Sequence, residues 1–129
     1  MKTILLIESN SNILENLAES FEMEGYNVLT ASNGNAGVEL AGEFVPDLIV
    51  SEVLLGKMNG YEVLRLLLDK PKTSDIPFIF STTKSEKRDR TLALELGADD
   101  YIVKPYAIEP LFAMAIMWIK SGTHRCPAT

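Results

Sequence analysis

Polar side chains with complementary chemistry stand directly after four short apolar runs of this chain. They supply two carboxylates, three hydroxyls and one ammonium: Glu8, Ser9, Glu52, Ser81, Thr82 and Lys104. In open α/β sheets, ligands bind at the carboxyl ends of strands, where the strand order reverses. If the runs are strands of one such sheet, these groups converge on a binding site. The alternative is that polar residues end buried strands only because the chain emerges into water there.

A hydrolase is one chemistry that clustered serines and carboxylates could support. However, the only histidine, His124, lies near the end of the chain, and no G-x-S-x-G nucleophile elbow is present. We therefore predict that the protein is not an enzyme.

Five apolar runs with helical stretches between them provide the elements that would position these residues. The runs are Ile4–Ile7, Asn27–Thr30, Leu48–Val50, Phe78–Phe80 and Tyr101–Val103. Three of them are continuously apolar, which is typical of strands covered on both faces of a parallel sheet. The alternation of strand and helix predicts an α/β fold with a doubly wound parallel sheet and right-handed crossovers.

The first helical stretch has the clearest pattern. Asn12 to Glu15 suggests a capping box, and Ile13, Leu17 and Phe21 recur on one face until Gly25 closes the helix. Further helices are predicted at about 35–43, 60–68, 86–96 and 110–120. We expect one domain over residues 1–120 and a flexible tail over residues 121–129.

Composition limits the classes of function. The net charge of −6 and the pI near 4.8 argue against nucleic acid as a direct ligand, since phosphate backbones need a basic surface. A single cysteine, Cys126, allows no internal disulfide and fits a reducing compartment. No apolar run approaches the roughly 20 residues needed to cross a bilayer, and the N-terminus does not resemble a signal peptide. We expect a cytoplasmic protein without membrane contact.

Several segments, in the same order along the chain, resemble the response-regulator receiver domain. They are Pro46–Glu52 with Leu54–Gly60, Gly25–Val28 with Ala31–Gly34, Ile76–Thr82, and Gly97–Tyr106. The resemblance covers Lys2 to Trp118 and implies a flavodoxin-like (βα)5 sheet with strand order 2-1-3-4-5. It also implies a role in two-component (phosphorelay) signalling, with a histidine kinase or another signalling protein as partner.

The resemblance assigns roles to particular positions. Glu52 stands where the family has its phosphate-accepting aspartate. Lys104 matches the lysine that pairs with the phosphoryl group, and Pro105 the proline that follows it. Thr82 matches the hydroxyl that bonds a phosphoryl oxygen, and Tyr101 the aromatic whose ring moves with that threonine. Leu54 matches the residue whose carbonyl completes the magnesium site.

Three departures from the family pattern weaken the metal-assisted chemistry. The acidic pair after the first strand is Glu8-Ser9 here, so one carboxylate is replaced by a hydroxyl and the other is longer. Glu52 is longer than aspartate by one carbon, and a misplacement of about 1 Å can cost roughly a hundredfold in rate. A Mg²⁺ site at these positions is therefore expected to be weakened, and no cofactor is expected.

Glu52 could instead reach Lys104 and Thr82 without a metal, in partial imitation of an acyl phosphate. We therefore predict an atypical receiver, a pseudo-receiver, that signals independently of phosphorylation. The alternatives are a receiver weakly phosphorylated at Glu52 by a histidine kinase, a relict scaffold, and a flavin-binding protein of the flavodoxin class. For the last, Ser9 to Ser11 lacks the glycine-rich phosphate cradle.

The last helix is apolar all round between Leu111 and Ile119, whereas a surface helix needs only one apolar stripe. This pattern predicts an interface, either of a homodimer or with a partner protein. The predicted interface residues are Leu111, Phe112, Met114, Ala115, Met117 and Trp118. Output is expected through this helix together with the surface around Tyr101 and Arg90.

Overall fold

The computed structural model describes residues 1–121, which form strands and helices in strict alternation. The elements are β1 (Thr3–Ile7), α1 (Ser11–Met23), β2 (Asn27–Ala31), α2 (Gly34–Phe44), β3 (Leu48–Ser51), α3 (Gly60–Leu68), β4 (Phe78–Thr82), α4 (Lys87–Glu95), β5 (Asp100–Val103) and α5 (Ile108–Ser121). Each predicted strand and helix is present, and the differences are confined to element ends. The predicted tail from residue 122 onward lies outside the described residues, and Ser121, which we had assigned to it, is the last residue of α5.

The five strands form one parallel sheet in the order β2-β1-β3-β4-β5. The predicted flavodoxin-like fold and strand order are therefore confirmed. The order reverses between β1 and β3, because the chain first moves outward to β2 and then returns past β1. The carboxyl ends of β1 and β3 thus flank the point where doubly wound sheets bind ligands.

A hydrophobic core covers each face of the sheet. Alternate residues of the central strands point to opposite sides, so Leu5 and Ile7 pack with α2, α3 and α4, whereas Ile4 and Leu6 pack with α1 and α5. All residues of β3 and β4 are buried. Burial on both faces explains the continuous apolar runs in the sequence.

The N-terminus of α1 differs from our prediction. Asn10, not Asn12, is the N-cap residue, and its side-chain oxygen accepts a hydrogen bond from the Ile13 amide at 3.1 Å. The helix begins at Ser11, so Asn12 already lies in its first turn. Sequence spacing favoured Asn12 because Glu15 follows three residues later, but the side chain that satisfies the free amide decides the boundary.

Two backbone positions at helix ends are notable. A Cβ atom on Gly60 would overlap the Glu52 carbonyl oxygen, so glycine lets α3 begin directly against the end of β3. Val45, between α2 and β3, has a φ of 44°, in the left-handed region that β-branched residues rarely adopt.

No helix within residues 1–121 is long and apolar enough to cross a membrane.

Candidate functional site

The parallel register brings the ends of four strands to one edge of the sheet. The Glu52 amide donates to the Ile7 carbonyl at 3.0 Å, which places Glu52 beside the end of β1 and therefore close to Glu8. The Lys104 amide donates to the Thr82 carbonyl at 2.8 Å, which places Lys104 beside the end of β4. These backbone bonds bring the predicted side chains together at the switch point.

The Lys104 ammonium joins the two carboxylates of the site. Its Nζ atom donates to Glu8 Oε1 and, at 2.9 Å, to Glu52 Oε1. The Lys104 side chain is 12% exposed and each glutamate side chain 6%, so the ion pairs are largely shielded from water. Burial alone would lower the pKa of Lys104, but its hydrogen bonds and charge attraction to Glu8 and Glu52 raise that pKa overall. Lys104 is therefore held in its charged form.

The other oxygen of each glutamate accepts backbone hydrogen bonds. Glu52 Oε2 accepts from the Val53 amide at 2.6 Å and from the Leu54 amide at 3.2 Å. Glu8 Oε2 accepts from the Asn10 amide at 3.0 Å. All four carboxylate oxygens of the site thus have donors, as buried charged groups require.

Thr82 lies at the site, but its hydroxyl bonds to the β4–α4 loop and not to Glu52. Its side chain is fully buried, and its hydroxyl oxygen accepts a hydrogen bond from the Lys84 amide at 3.2 Å. Within residues 1–121, the Glu52 carboxylate accepts hydrogen bonds from Lys104, Val53 and Leu54 but not from Thr82. The expectation that Glu52 reaches both Lys104 and Thr82 is therefore half right. The Val53 and Leu54 amides hold the second oxygen of the Glu52 carboxylate.

The Tyr101 ring is almost completely buried, with 2% of the residue exposed. Its hydroxyl donates to the Lys84 carbonyl at 2.7 Å, and Arg90 Nη1 donates to the Tyr101 carbonyl at 3.0 Å. Burial, followed by the nearby Tyr61, Asp89 and Glu52, raises the pKa of Tyr101 to about 12. The aromatic residue is thus bound to both the β4–α4 loop and α4.

Comparison with known proteins identifies the architecture around this site. The family model for the response regulator receiver domain matches residues 4–116. The chain belongs to the response regulator receiver family. This confirms the predicted class of signalling module, and receiver domains interact with histidine kinases and other signalling partners.

Curated relatives and solved structures support the same assignment. The chain is 40% identical over 106 residues to the alkaline phosphatase synthesis transcriptional regulatory protein PhoP of Bacillus subtilis, covering 82% of this chain and 43% of that protein. It is 34% identical over 107 residues to the response regulator SaeR of Staphylococcus aureus, covering 83% of this chain and 46% of that protein. The chain therefore spans less than half the length of these relatives.

Among solved structures, the signal receiver domain of a histidine kinase from Syntrophus aciditrophicus superposes with a TM-score of 0.86 at 32% identity. That match covers 100% of this chain and 97% of the other. A response regulator receiver domain protein from Clostridium thermocellum gives a TM-score of 0.87 at 27% identity, covering 94% of this chain and 96% of the other.

The magnesium ion that the receiver family implies fits these residues poorly. Mg²⁺ requires near-octahedral oxygen ligands, and here every oxygen of Glu8 and Glu52 already accepts a hydrogen bond. Ser9 is exposed and uncharged, and its hydroxyl donates to the Leu54 carbonyl at 3.5 Å. Within residues 1–121, no group of three or more His, Cys, Asp or Glu side chains is arranged to hold a metal ion.

Two tyrosines near this receiver site were not singled out by the sequence. The hydroxyls of Ser81 and Tyr106 are 2.7 Å apart, so a hydrogen bond ties the loop after Lys104 back to β4. Tyr61 packs edge-to-face on Phe80, and its hydroxyl is buried without a partner among the described residues. Neither has a sequence signal, because both depend on side chains brought together by the fold.

The predicted interface on α5 is partly wrong. Leu111 and Ala115 are fully buried in the core with α1 and the sheet, so neither can bind a partner. Phe112, Met114 and Trp118 are half-buried against the same core, and Trp118 Nε1 donates to Asp100 Oδ2 at 3.0 Å. The exposed large apolar residues of α5 are Ile116, which we did not predict, and Met117, at 57% and 51% exposure.

Proposed function

We propose that this chain is a pseudo-receiver that signals by protein–protein contact without a phosphorylation cycle. One observation carries the proposal: both oxygens of the Glu52 carboxylate are already bound, Oε1 by the Lys104 ammonium and Oε2 by the Val53 and Leu54 amides. To attack a phosphoryl donor, Glu52 would have to use a remaining lone pair of an oxygen that is already hydrogen-bonded, or leave one of these contacts.

Phosphoryl transfer also depends on in-line placement and on cations that neutralise the developing charge. Ser9 offers no carboxylate for a metal, and the Lys104 charge is shared between Glu8 and Glu52. Both features favour a slow or absent transfer step at Glu52.

The Glu52–Lys104 pair supplies part of what an acyl phosphate would supply. A phosphoryl group carries about 1.5 to 2 negative charges and three strong acceptor oxygens, whereas Glu52 carries one charge and two oxygens. The pair holds Lys104 against β3 while Tyr101 stays buried beneath the β4–α4 loop. We therefore propose that the domain occupies one signalling conformation, or favours it, at all times.

The proposed output surface combines the region around Tyr101 and Arg90 with the exposed side of α5. Exposed Ile116 and Met117 support a contact surface there, since Met is an adaptable interface residue. In its simplest form the contact is a homodimer through α5. In sedimentation experiments, Met117→Glu should dissociate such a dimer, whereas Met23→Glu, at an exposed methionine of α1, should leave it intact.

Intact-protein mass measured after incubation with acetyl phosphate and Mg²⁺, under an acid quench that preserves acyl phosphates, tests the proposal. We expect no mass shift in the folded wild-type protein. A shift of one phosphoryl group that disappears in Glu52→Gln would establish a weakly phosphorylated receiver and overturn the proposal. A shift that persists in Glu52→Gln would show modification elsewhere and leave Glu52 unphosphorylated, as proposed.

A further inference from the structure

The two carboxylates of this site, Glu8 and Glu52, already share a cation. The Lys104 Nζ atom contacts Oε1 of both Glu8 and Glu52, the two carboxylates that a metal would need. We infer that the Lys104 ammonium is the resident cation of the site and that it excludes divalent cations. The inference extends the proposed function to the site's choice of cation, and it involves no phosphoryl chemistry.

The local charges support this assignment. Two carboxylates carry two negative charges and the ammonium carries one positive charge, so one negative charge remains for an incoming ion. A divalent ion between Glu8 and Glu52 would meet the ammonium within contact distance, and like charges repel strongly where water is scarce. Ser9, in place of an acid, supplies no carboxylate that would offset that repulsion.

Lys104 is also largely buried where it lies. Its side chain is 12% exposed and Glu8 and Glu52 hold its ammonium in place. A metal that displaced it would leave a largely buried charge without its partners, which is strongly unfavourable. The lysine therefore competes with the ion for the same oxygens rather than assisting its binding.

Removal of the ammonium alone should convert the pair into a metal site. Lys104→Met keeps an unbranched apolar side chain but leaves Glu8 and Glu52 without their shared counter-ion. Two unneutralised carboxylates at close range attract a hard cation, which prefers oxygen ligands. The matched control is Lys57→Met, which removes the same charge from an exposed position of the β3–α3 loop.

Mn²⁺ binding, followed by electron paramagnetic resonance of the free ion, tests the inference without any phosphate donor. We expect no saturable binding to the wild-type protein or to Lys57→Met up to about 1 mM Mn²⁺, the range of weak protein sites for hard cations. Lys104→Met should bind at least about tenfold more tightly than wild type. Adding Glu8→Gln to Lys104→Met should abolish that gain.

Equal Mn²⁺ affinity of wild type and Lys104→Met, whether tight or weak, would overturn the inference. The ammonium would then not control the access of the ion to Glu8 and Glu52. Circular dichroism checks folding. If Lys104→Met is unfolded without metal, refolding on addition of Mn²⁺ supports the inference and failure to refold overturns it. Phosphorylation of Glu52 in the separate mass experiment would overturn the proposed function while leaving this measurement intact.

Discussion

The Tyr101 hydroxyl donates a 2.7 Å hydrogen bond to the Lys84 carbonyl, and this bond joins β5 to the loop that precedes α4. It spans 17 residues of sequence, and the amide of the same Lys84 donates to the Thr82 hydroxyl at the end of β4. The surface of α4 is therefore connected to the site through one buried phenol.

Tyr101→Phe removes the donor and leaves the Lys84 carbonyl without this bond. We expect a loss of about 0.5–1.5 kcal/mol in the free energy of unfolding, the net worth of a typical internal hydrogen bond. Urea denaturation provides the measurement. An unchanged midpoint would mean that the bond to Lys84 contributes nothing to stability.

Tyr61→Phe should stabilise the folded protein, whereas Tyr101→Phe should destabilise it. The Tyr61 hydroxyl is buried without a partner among the described residues, and an unsatisfied buried polar group costs about 1–3 kcal/mol. We expect Tyr61→Phe to raise the free energy of unfolding by about 1 kcal/mol under the same urea conditions. Because both substitutions remove one phenolic oxygen from the same region, each serves as the control for the other. A loss of stability in both would refute this account.

The raised pKa of Tyr101 predicts a decline in stability at high pH. The ordinary tyrosine pKa is 10.0, and burial raises it to about 12 in the folded chain. The neutral phenol is favoured by folding, so its contribution is complete below pH 10 and is lost as pH rises toward 12. The loss should be on the order of 2 kcal/mol. The difference between wild type and Tyr101→Phe, measured in urea from pH 9 to 12, isolates this contribution, and a constant difference would contradict it.

Restoring aspartate at the acceptor position should not by itself restore phosphorylation. In Glu52→Asp the neutral Ser9 still leaves the site short of a carboxylate for Mg²⁺. We expect no acetyl phosphate-dependent mass shift in Glu52→Asp but a shift of one phosphoryl group in Ser9→Asp/Glu52→Asp. If the single substitution is sufficient, Glu52 rather than Ser9 is the larger defect.

Val45 offers a test of backbone strain away from the site. Its φ of 44° is unfavourable for a β-branched residue by about 1–2 kcal/mol, whereas asparagine tolerates the left-handed region. We expect Val45→Asn to raise the free energy of unfolding by about 1 kcal/mol, and Val45→Ala to give a smaller gain. Thermal denaturation of the three proteins provides the comparison. Destabilisation by Val45→Asn would show that packing of Val45 outweighs strain.

Much of the fold was predictable, because the apolar runs and the polar residues that follow them indicate the same α/β architecture. Continuous apolar runs follow from burial of β1, β3 and β4 on both faces, and parallel strands bring their polar ends together. This reasoning correctly brought Glu8, Glu52 and Lys104 to one edge. It could not predict which of the carboxylate oxygens would bind Lys104 and which would bind loop amides, because that choice depends on distances of a few ångströms.

The errors have similar causes. An apolar α5 indicated an interface, but periodicity alone did not reveal that Leu111 and Ala115 face the sheet while Ile116 faces outward. The burial of the Tyr61 hydroxyl, which has no partner within residues 1–121, and the Ser81–Tyr106 bond depend on residues distant in sequence. In each case, tertiary packing determined which side chains are buried and which side chains they contact, and the local sequence pattern does not reveal this.

The Lys104 contacts also have a consequence for the order in which this chain matures during synthesis. Lys104 lies 96 residues after Glu8 and 52 after Glu52, so both glutamates leave the ribosome well before their shared partner. Contacts between such distant residues form late because a long segment must first be closed. A nascent chain that stops before β5 would carry two neighbouring carboxylates that repel each other. The ion pairs of Lys104 with Glu8 and Glu52 therefore stabilise only chains that extend past β5.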